Sequence, residues 1–217
     1  WRSDLNQRAS TNPGAIQGVP YFFENTMLTP TTSLEAVNQM LGTIAESPVN
    51  SLVGTESVDA LTAQAVLTEA SRDLQMHGWP FNTESGYPLP ATVDGEVALP
   101  LNCLFADSFG PDRDLDLVQR GSRLYDRGNH TFKVGRSVTA EITFMLPFEE
   151  LPEAARRFVA VRASRLFQKR VTGSQTLDGF TAEDEAVALR AFRRVMGQSS
   201  DPNFFNSPDM RRALSRR

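Results

Sequence analysis

With 217 residues, 40% of them apolar and 22% charged, the chain can build one substantial core, or a main domain with a smaller second one, and wholesale disorder is excluded. Its net charge of −4 hides an uneven distribution: residues 31–110 hold one arginine and ten acidic residues, whereas residues 151–217 hold thirteen basic and seven acidic ones. An acidic half and a basic half suit head-to-tail assembly, one subunit's acidic face meeting a neighbour's basic one; they equally suit two differently charged solvated surfaces.

In chain order, residues 1–30 read as an N-terminal arm. Asn12-Pro13-Gly14, Pro20 and Pro30 break any regular element. Residues 1–20 hold no apolar signal-peptide core, and the absence of an initial Met leaves open a start upstream of Trp1. Tyr21, Phe22 and Phe23 are candidate arm anchors, for a neighbour's pocket or for the arm's own domain. A helix is predicted after Thr32, which has capping-box spacing to Glu35, with Leu34, Val37, Leu41 and Ile44 on one face. A second helix is predicted from about Val58 to His77. Its seam of Ala60, Ala63, Leu67, Ala70 and Leu74 lets another helix approach closely, and Gly78 stops it.

Residues 81–150 read as a β-rich insertion, with recurrent Gly and Pro. The longest near-continuous apolar stretch, 97–106, is too short to cross a bilayer, and no membrane association is expected. Cys103, the one cysteine, cannot pair within the chain, which fits a reducing compartment. Strands are predicted at 115–118, 123–126 and 138–146, the last from the alternation of Val138, Ala140, Ile142 and Phe144 with Thr139, Glu141 and Thr143. Helix resumes at Pro152, read as a first-turn proline, and runs to about Val171 before Gly173. A last helix is predicted from about Ala182 to Met196. Thr181 is its candidate N-cap, Glu183, Asp184 and Glu185 its acidic first turn, and Gly197 its stop. Residues 198–217 form a basic tail carrying the further candidate anchors Phe204 and Phe205. The expected fold is α+β. A bundle of about four helices (31–80 and 151–197) carries a small antiparallel β insertion (81–150), with extended arms at both ends.

The chain holds no catalytic signature: HExxH, Gly-rich phosphate loops and GxSxG are absent, and no cofactor or metal is expected. His77 and His130 lack partners at metal-binding spacing. Asp112 to Asp116 resembles the start of a calcium loop, but positions six and twelve hold Leu117 and Arg123 instead of Gly and Glu. Glu149 or Glu150 with Asp126 is the pair to inspect for glycoside hydrolysis, which needs two opposed carboxyls. Acids preceding a helix also suit its dipole without any chemistry. On the helix after Pro152, Arg162, Arg165 and Lys169 fall within an arc of about 60°. This basic stripe suits pairing with an adjacent subunit, contact with DNA phosphates, or a solvated face.

Several segments together resemble one family. They are LEAVNQMLGTIAESPVNSL (34–52), ALTAQAVLTEASRDLQMHGWPFNT (60–83), LYDRGN (124–129) and FEELPEAARRFVAVRASRLFQKR (148–170). In this order and spacing they resemble tail tubular protein A, the head-to-tail adaptor of T7-type short-tailed bacteriophages, over roughly residues 31–197. The resemblance implies a structural virion protein and not an enzyme. It implies a dodecameric ring beneath the portal protein, with the tail nozzle (tail tubular protein B) on its other face and tail fibres near that junction. It further implies genomic double-stranded DNA passing through the lumen without sequence specificity, and a place in the virion tail after assembly in the host cytoplasm. Residues 1–30 have no counterpart in it. Two other readings follow from the residues: a virion-associated glycan hydrolase using the carboxylates above, and a host-side DNA-binding or regulatory protein.

Overall fold

In the computed structural model, Thr32 ends an extended segment and starts helix α1 (Ser33–Gly42) through a reciprocal cap. The Glu35 amide donates to Thr32 Oγ1 at 3.2 Å, and the Thr32 amide donates to Glu35 Oε2 at 2.9 Å. Each bond satisfies an N–H that the helix cannot. The structure describes residues 29–199 except 174, with side chains undescribed at 175–181 and 199. The candidate anchors Tyr21, Phe22, Phe23, Phe204 and Phe205, and almost all of both expected arms, lie outside the described residues.

Asn38 organises the loop after α1. Its Nδ2 donates to the Val49 carbonyl (3.0 Å), and its Oδ1 accepts from the Val49 amide (2.8 Å). Helix α2 (Val58–Gln75) then starts on Ser57, whose Oγ accepts from the Ala60 amide. All five expected seam residues of α2 are buried. They pack with Val37, Met40 and Leu41 of α1 and with residues of the two later helices in one helical core.

The β unit follows. Strands β1 (Thr83–Leu89), β2 (Cys103–Ser108) and β5 (Val138–Phe144) form an antiparallel sheet in the order β1-β5-β2, and β3 (Leu117–Arg120) and β4 (Arg123–Asp126) form a hairpin. Strand β5 is central and buries Val138, Ala140 and Ile142. These meet Leu89, Val97, Leu99, Ala106, Leu117 and Leu124 in a second core. Strands β1 and β2 were not among the predicted elements. Both pair with a strand far along the chain, and both are irregular, with register shifts between Ser85 and Tyr87 and between Cys103 and Phe105. Gly86, at φ +80°, sits in the first shift, a conformation other residues rarely adopt. Strand β3 starts at Leu117 and not Leu115. Leu115 is held in a turn, its amide donating to the Asp112 carbonyl and its carbonyl accepting from Ser108 Oγ.

Helix α3 (Glu153–Thr172) follows Pro152, which is the N-cap and not the first helical residue, and ends on Gly173 at φ +66°. Helix α4 (Gln175–Ser199) departs further from expectation. It begins seven residues before Ala182 and continues through Gly197, so Thr181 is not its cap and the Glu183–Glu185 run is not its first turn. A single glycine costs a helix only about 1 kcal/mol, so Gly197 is a weak stop. Within α4, Phe192 and Met196 are buried against α3 and α2. The Phe192 ring stacks on Phe158 (5.8 Å between centroids) and meets Trp79 edge-on (4.5 Å).

Two buried polar residues lock the β unit to the bundle. Gln75 Nε2 donates to Ser71 Oγ (3.0 Å) and the Leu146 carbonyl (3.1 Å), and Gln75 Oε1 accepts from the Leu146 amide (2.8 Å). Asn82 Nδ2 donates to the carbonyls of Gln75 (3.0 Å) and Phe144 (2.8 Å), and its Oδ1 accepts from the Trp79 amide (2.8 Å). The chain's exit from α2 and its return from β5 are therefore bonded side by side. Satisfied buried amides of this kind set one relative orientation of two elements.

Candidate assembly surfaces

The basic stripe on α3 is engaged within the chain. Arg162 Nη1 donates to Glu185 Oε1 at 3.0 Å, and Arg165 Nη1 donates to Glu185 Oε2 at 2.9 Å. One carboxylate, 14% exposed, thus holds two guanidinium groups. Arg162 also reaches Asp73 on α2 at 3.5 Å. One turn on, Arg170 grips Glu69 of α2 with two bonds of 2.7 Å. The Arg170 bond holds the Glu69 carboxyl below its ordinary pKa, and the same bond raises that of Arg170. Lys169 lies exposed beside them. The stripe therefore ties α3 to α4 and α2. It draws on acids of α2, part of the acidic half, and on Glu185, an acid within the basic half.

Cations remain exposed elsewhere on the bundle: Arg157 on α3, and Arg190, Arg193 and Arg194 on α4. The acidic counterpart lies on the solvent side of the β1-β5-β2 sheet. Asp107 on β2 is the cross-strand neighbour of Glu141 on β5, and Phe105 (53% exposed) neighbours Thr143. Asp114 and the exposed Phe109 stand nearby around a cavity of about 640 Å³. Prediction missed this face because it missed β2. The signal was present as the outward Phe105 and Asp107 on either side of the buried Ala106, masked by reading 97–106 as one apolar stretch.

The carboxylates weighed for hydrolysis have separate structural tasks. Glu149 Oε1 accepts from the Ser33 amide at the start of α1 (3.3 Å), and hydrogen bonding from Ser33 holds its carboxyl below the usual range. The Glu149 carbonyl accepts from Arg156. Glu150 is exposed. Asp126 closes the turn after β4, accepting from the Asn129 side chain and amide (both 2.8 Å), which lower its pKa. Asp112, read as part of a broken calcium loop, is a buried clamp. It accepts from the Thr139 amide (2.7 Å), the main cause of its lowered pKa, and pairs with Arg136 (2.5 Å). His77 Nδ1 contacts the Asp73 carbonyl at the end of α2 (2.9 Å), and His130 is a turn residue at φ +53°. The Cys103 thiol is pushed up by burial. Among the described residues no group of three or more His, Cys, Asp or Glu side chains could hold a metal ion, and no helix is long and apolar enough to cross a membrane.

A four-helix bundle with a locked β insertion, carrying charged outer faces and structurally committed carboxylates, can be compared with known proteins. The tail tubular protein family matches residues 34–202, a span that includes both cores. The chain is also similar to tail tubular protein A of Klebsiella phage KP34, at 32% identity over 127 residues. That alignment covers 58% of this chain and 66% of the relative, just under two thirds of the relative's length. The chain therefore belongs to the tail tubular protein family, and is a structural component of a bacteriophage tail.

Proposed function

We propose that the chain is the head-to-tail adaptor of a short-tailed phage, forming a twelve-membered ring between the portal and the tail nozzle. The observation that carries this reading is the family match across both structural units. The physical arrangement supports it. A closed ring needs two different, complementary faces on each subunit. Exposed arginines on α3 and α4 supply one such face. The ring joins portal protein, tail tubular protein B and tail fibres, and its lumen conducts genomic double-stranded DNA during ejection. Arg162, Arg165 and Lys169 border the subunit interface or the lumen, and Tyr21, Phe22, Phe23, Phe204 and Phe205 act as anchors in the arms. The ring assembles in the host cytoplasm and does its work without enzymatic activity.

Native mass spectrometry and electron microscopy of the purified chain, alone and with portal, test the reading. Rings of twelve copies are expected. A protein that stays monomeric and never binds portal overturns it. Lys169→Glu probes the exposed end of the stripe, and is expected to weaken assembly. Unchanged ring formation would move the stripe to the lumen or the solvent.

A further inference from the structure

The solvent face of the β1-β5-β2 sheet is built unlike an ordinary solvated surface. Asp107 and Glu141 face each other across adjacent strands, and directly opposed like charges are destabilising. Glu141 accepts from Ser85 Oγ (2.6 Å), and Asp107 accepts from the Ser108 amide (2.8 Å). Among the described residues neither forms an ion pair. Two aromatic rings, Phe105 and Phe109, stand exposed in the same region at 53% and 41%. Glu141 lines two cavities on this face, one of about 640 Å³ beside Asp114 and one of about 560 Å³ beside Trp79. The two share Glu141, and their walls carry four acids, Asp107, Asp114, Asp116 and Glu141, against the one arginine, Arg113; with the exposed rings, such a surface suits an occupant that carries both cations and apolar rings.

The chain holds such a segment, and the fold delivers it nearby. Residues 201–217 contain Phe204, Phe205, Arg211, Arg212, Arg216 and Arg217. They follow α4, whose Phe192 ring packs on Trp79, a wall of the second cavity. Only two helical turns separate Phe192 from Ser199, where α4 ends. The eighteen residues beyond, if extended, reach up to roughly 60 Å, far more than crossing the sheet requires. We propose that the acidic, aromatic outer face of the β sheet is the docking surface for the chain's basic C-terminal segment, from its own or a neighbouring copy. The arginines neutralise the Asp107–Glu141 pair, and Phe204 and Phe205 cover Phe105 and Phe109. This does not depend on the twelve-membered ring.

Photo-crosslinking in the full chain tests it. With p-benzoylphenylalanine in place of Phe105, mass spectrometry is expected to map the crosslinks to residues 201–217. Their yield should fall as salt rises from 0.1 M to 1 M and the screening length shrinks from ~10 Å to ~3 Å. Replacing Arg211, Arg212, Arg216 and Arg217 with Glu should lower the yield roughly tenfold, the combined worth of two or so exposed ion pairs. Adding Asp107→Lys and Glu141→Lys to that variant should restore it. Crosslinks confined to other segments, such as 190–194 of a second copy, overturn the proposal. So does a yield indifferent to salt and to the tail charges. A mixture of isotopically light and heavy chains reports which copy supplies the segment.

Discussion

At the scale of single residues, the side chains that matter most are polar and buried. Gln75 is fully buried and makes three hydrogen bonds through its side chain. Gln75→Ala leaves the Leu146 amide and carbonyl without partners, and is expected to cost about 1–3 kcal/mol in urea unfolding. The exposed neighbour change Met76→Ala should stay within about 0.5 kcal/mol; equal effects would show that the network is not stabilising. Asp112, Asp126 and Glu149 set the acid sensitivity. Their folded-state pKa values lie below the ordinary ones. The stability they contribute is therefore fully present above about pH 4 to 5, and is lost as pH falls through the lowered values. Asp112→Asn is expected to lower the melting temperature at neutral pH and to flatten its decline in acid. An unchanged slope in a pH series of melting curves would mean that Asp112 is not one of the responsible groups.

At the scale of elements, α4 is where local sequence signals and packing diverge most. Thr181 and the acids after it have the pattern of a helix start, yet the helix begins earlier and Glu185 points into the α3 stripe. Glu185→Gln removes the carboxylate that two arginines share. Because the pairs are part exposed, a loss of about 1–2 kcal/mol is expected. A mutant cycle with Arg165→Ala should return a clear coupling energy, and simple additivity would refute the clamp. Gly197 lies in the last turn of α4, and a side chain added there meets nothing within 4 Å. Gly197→Ala should stabilise the chain by up to about 0.5 kcal/mol, less than at a mid-helix position, read by thermal unfolding. A loss instead would place that glycine at a contact.

At the scale of the whole molecule, two hydrophobic cores are joined by the Gln75–Asn82 network. Coupling through that junction predicts one cooperative unfolding transition for the intact chain. The double change Gln75→Ala with Asn82→Ala should split calorimetric unfolding into two, the bundle and the β unit melting separately. A single sharp transition in the double variant would show that apolar contacts alone couple the units. A ring subunit benefits from this rigidity, since a fixed angle between bundle and β unit fixes the angle between neighbours.

The sequence by itself determined the helices that carry periodic apolar faces and clear end signals. Thr32 with Glu35, the alanine seam of α2, the glycine after α3 and the alternation of β5 are local patterns, and each produces its element from interactions within a few residues. It also determined the family, because four segments in order resemble one. Tertiary structure alone decided the rest. Strands β1 and β2 exist because β5 pairs with them across long separations, which no local period announces. Helix α4 runs through both Thr181 and Gly197, neither of which forbids helix, and its Phe192 and Met196 find a surface to bury. The α3 stripe became a clamp because Asp73 and Glu185, up to 89 positions away in the chain, arrive beside it. Charge counted along the sequence records how many acids and bases there are; only folding chooses which neutralise each other and which are left at the surface for a partner.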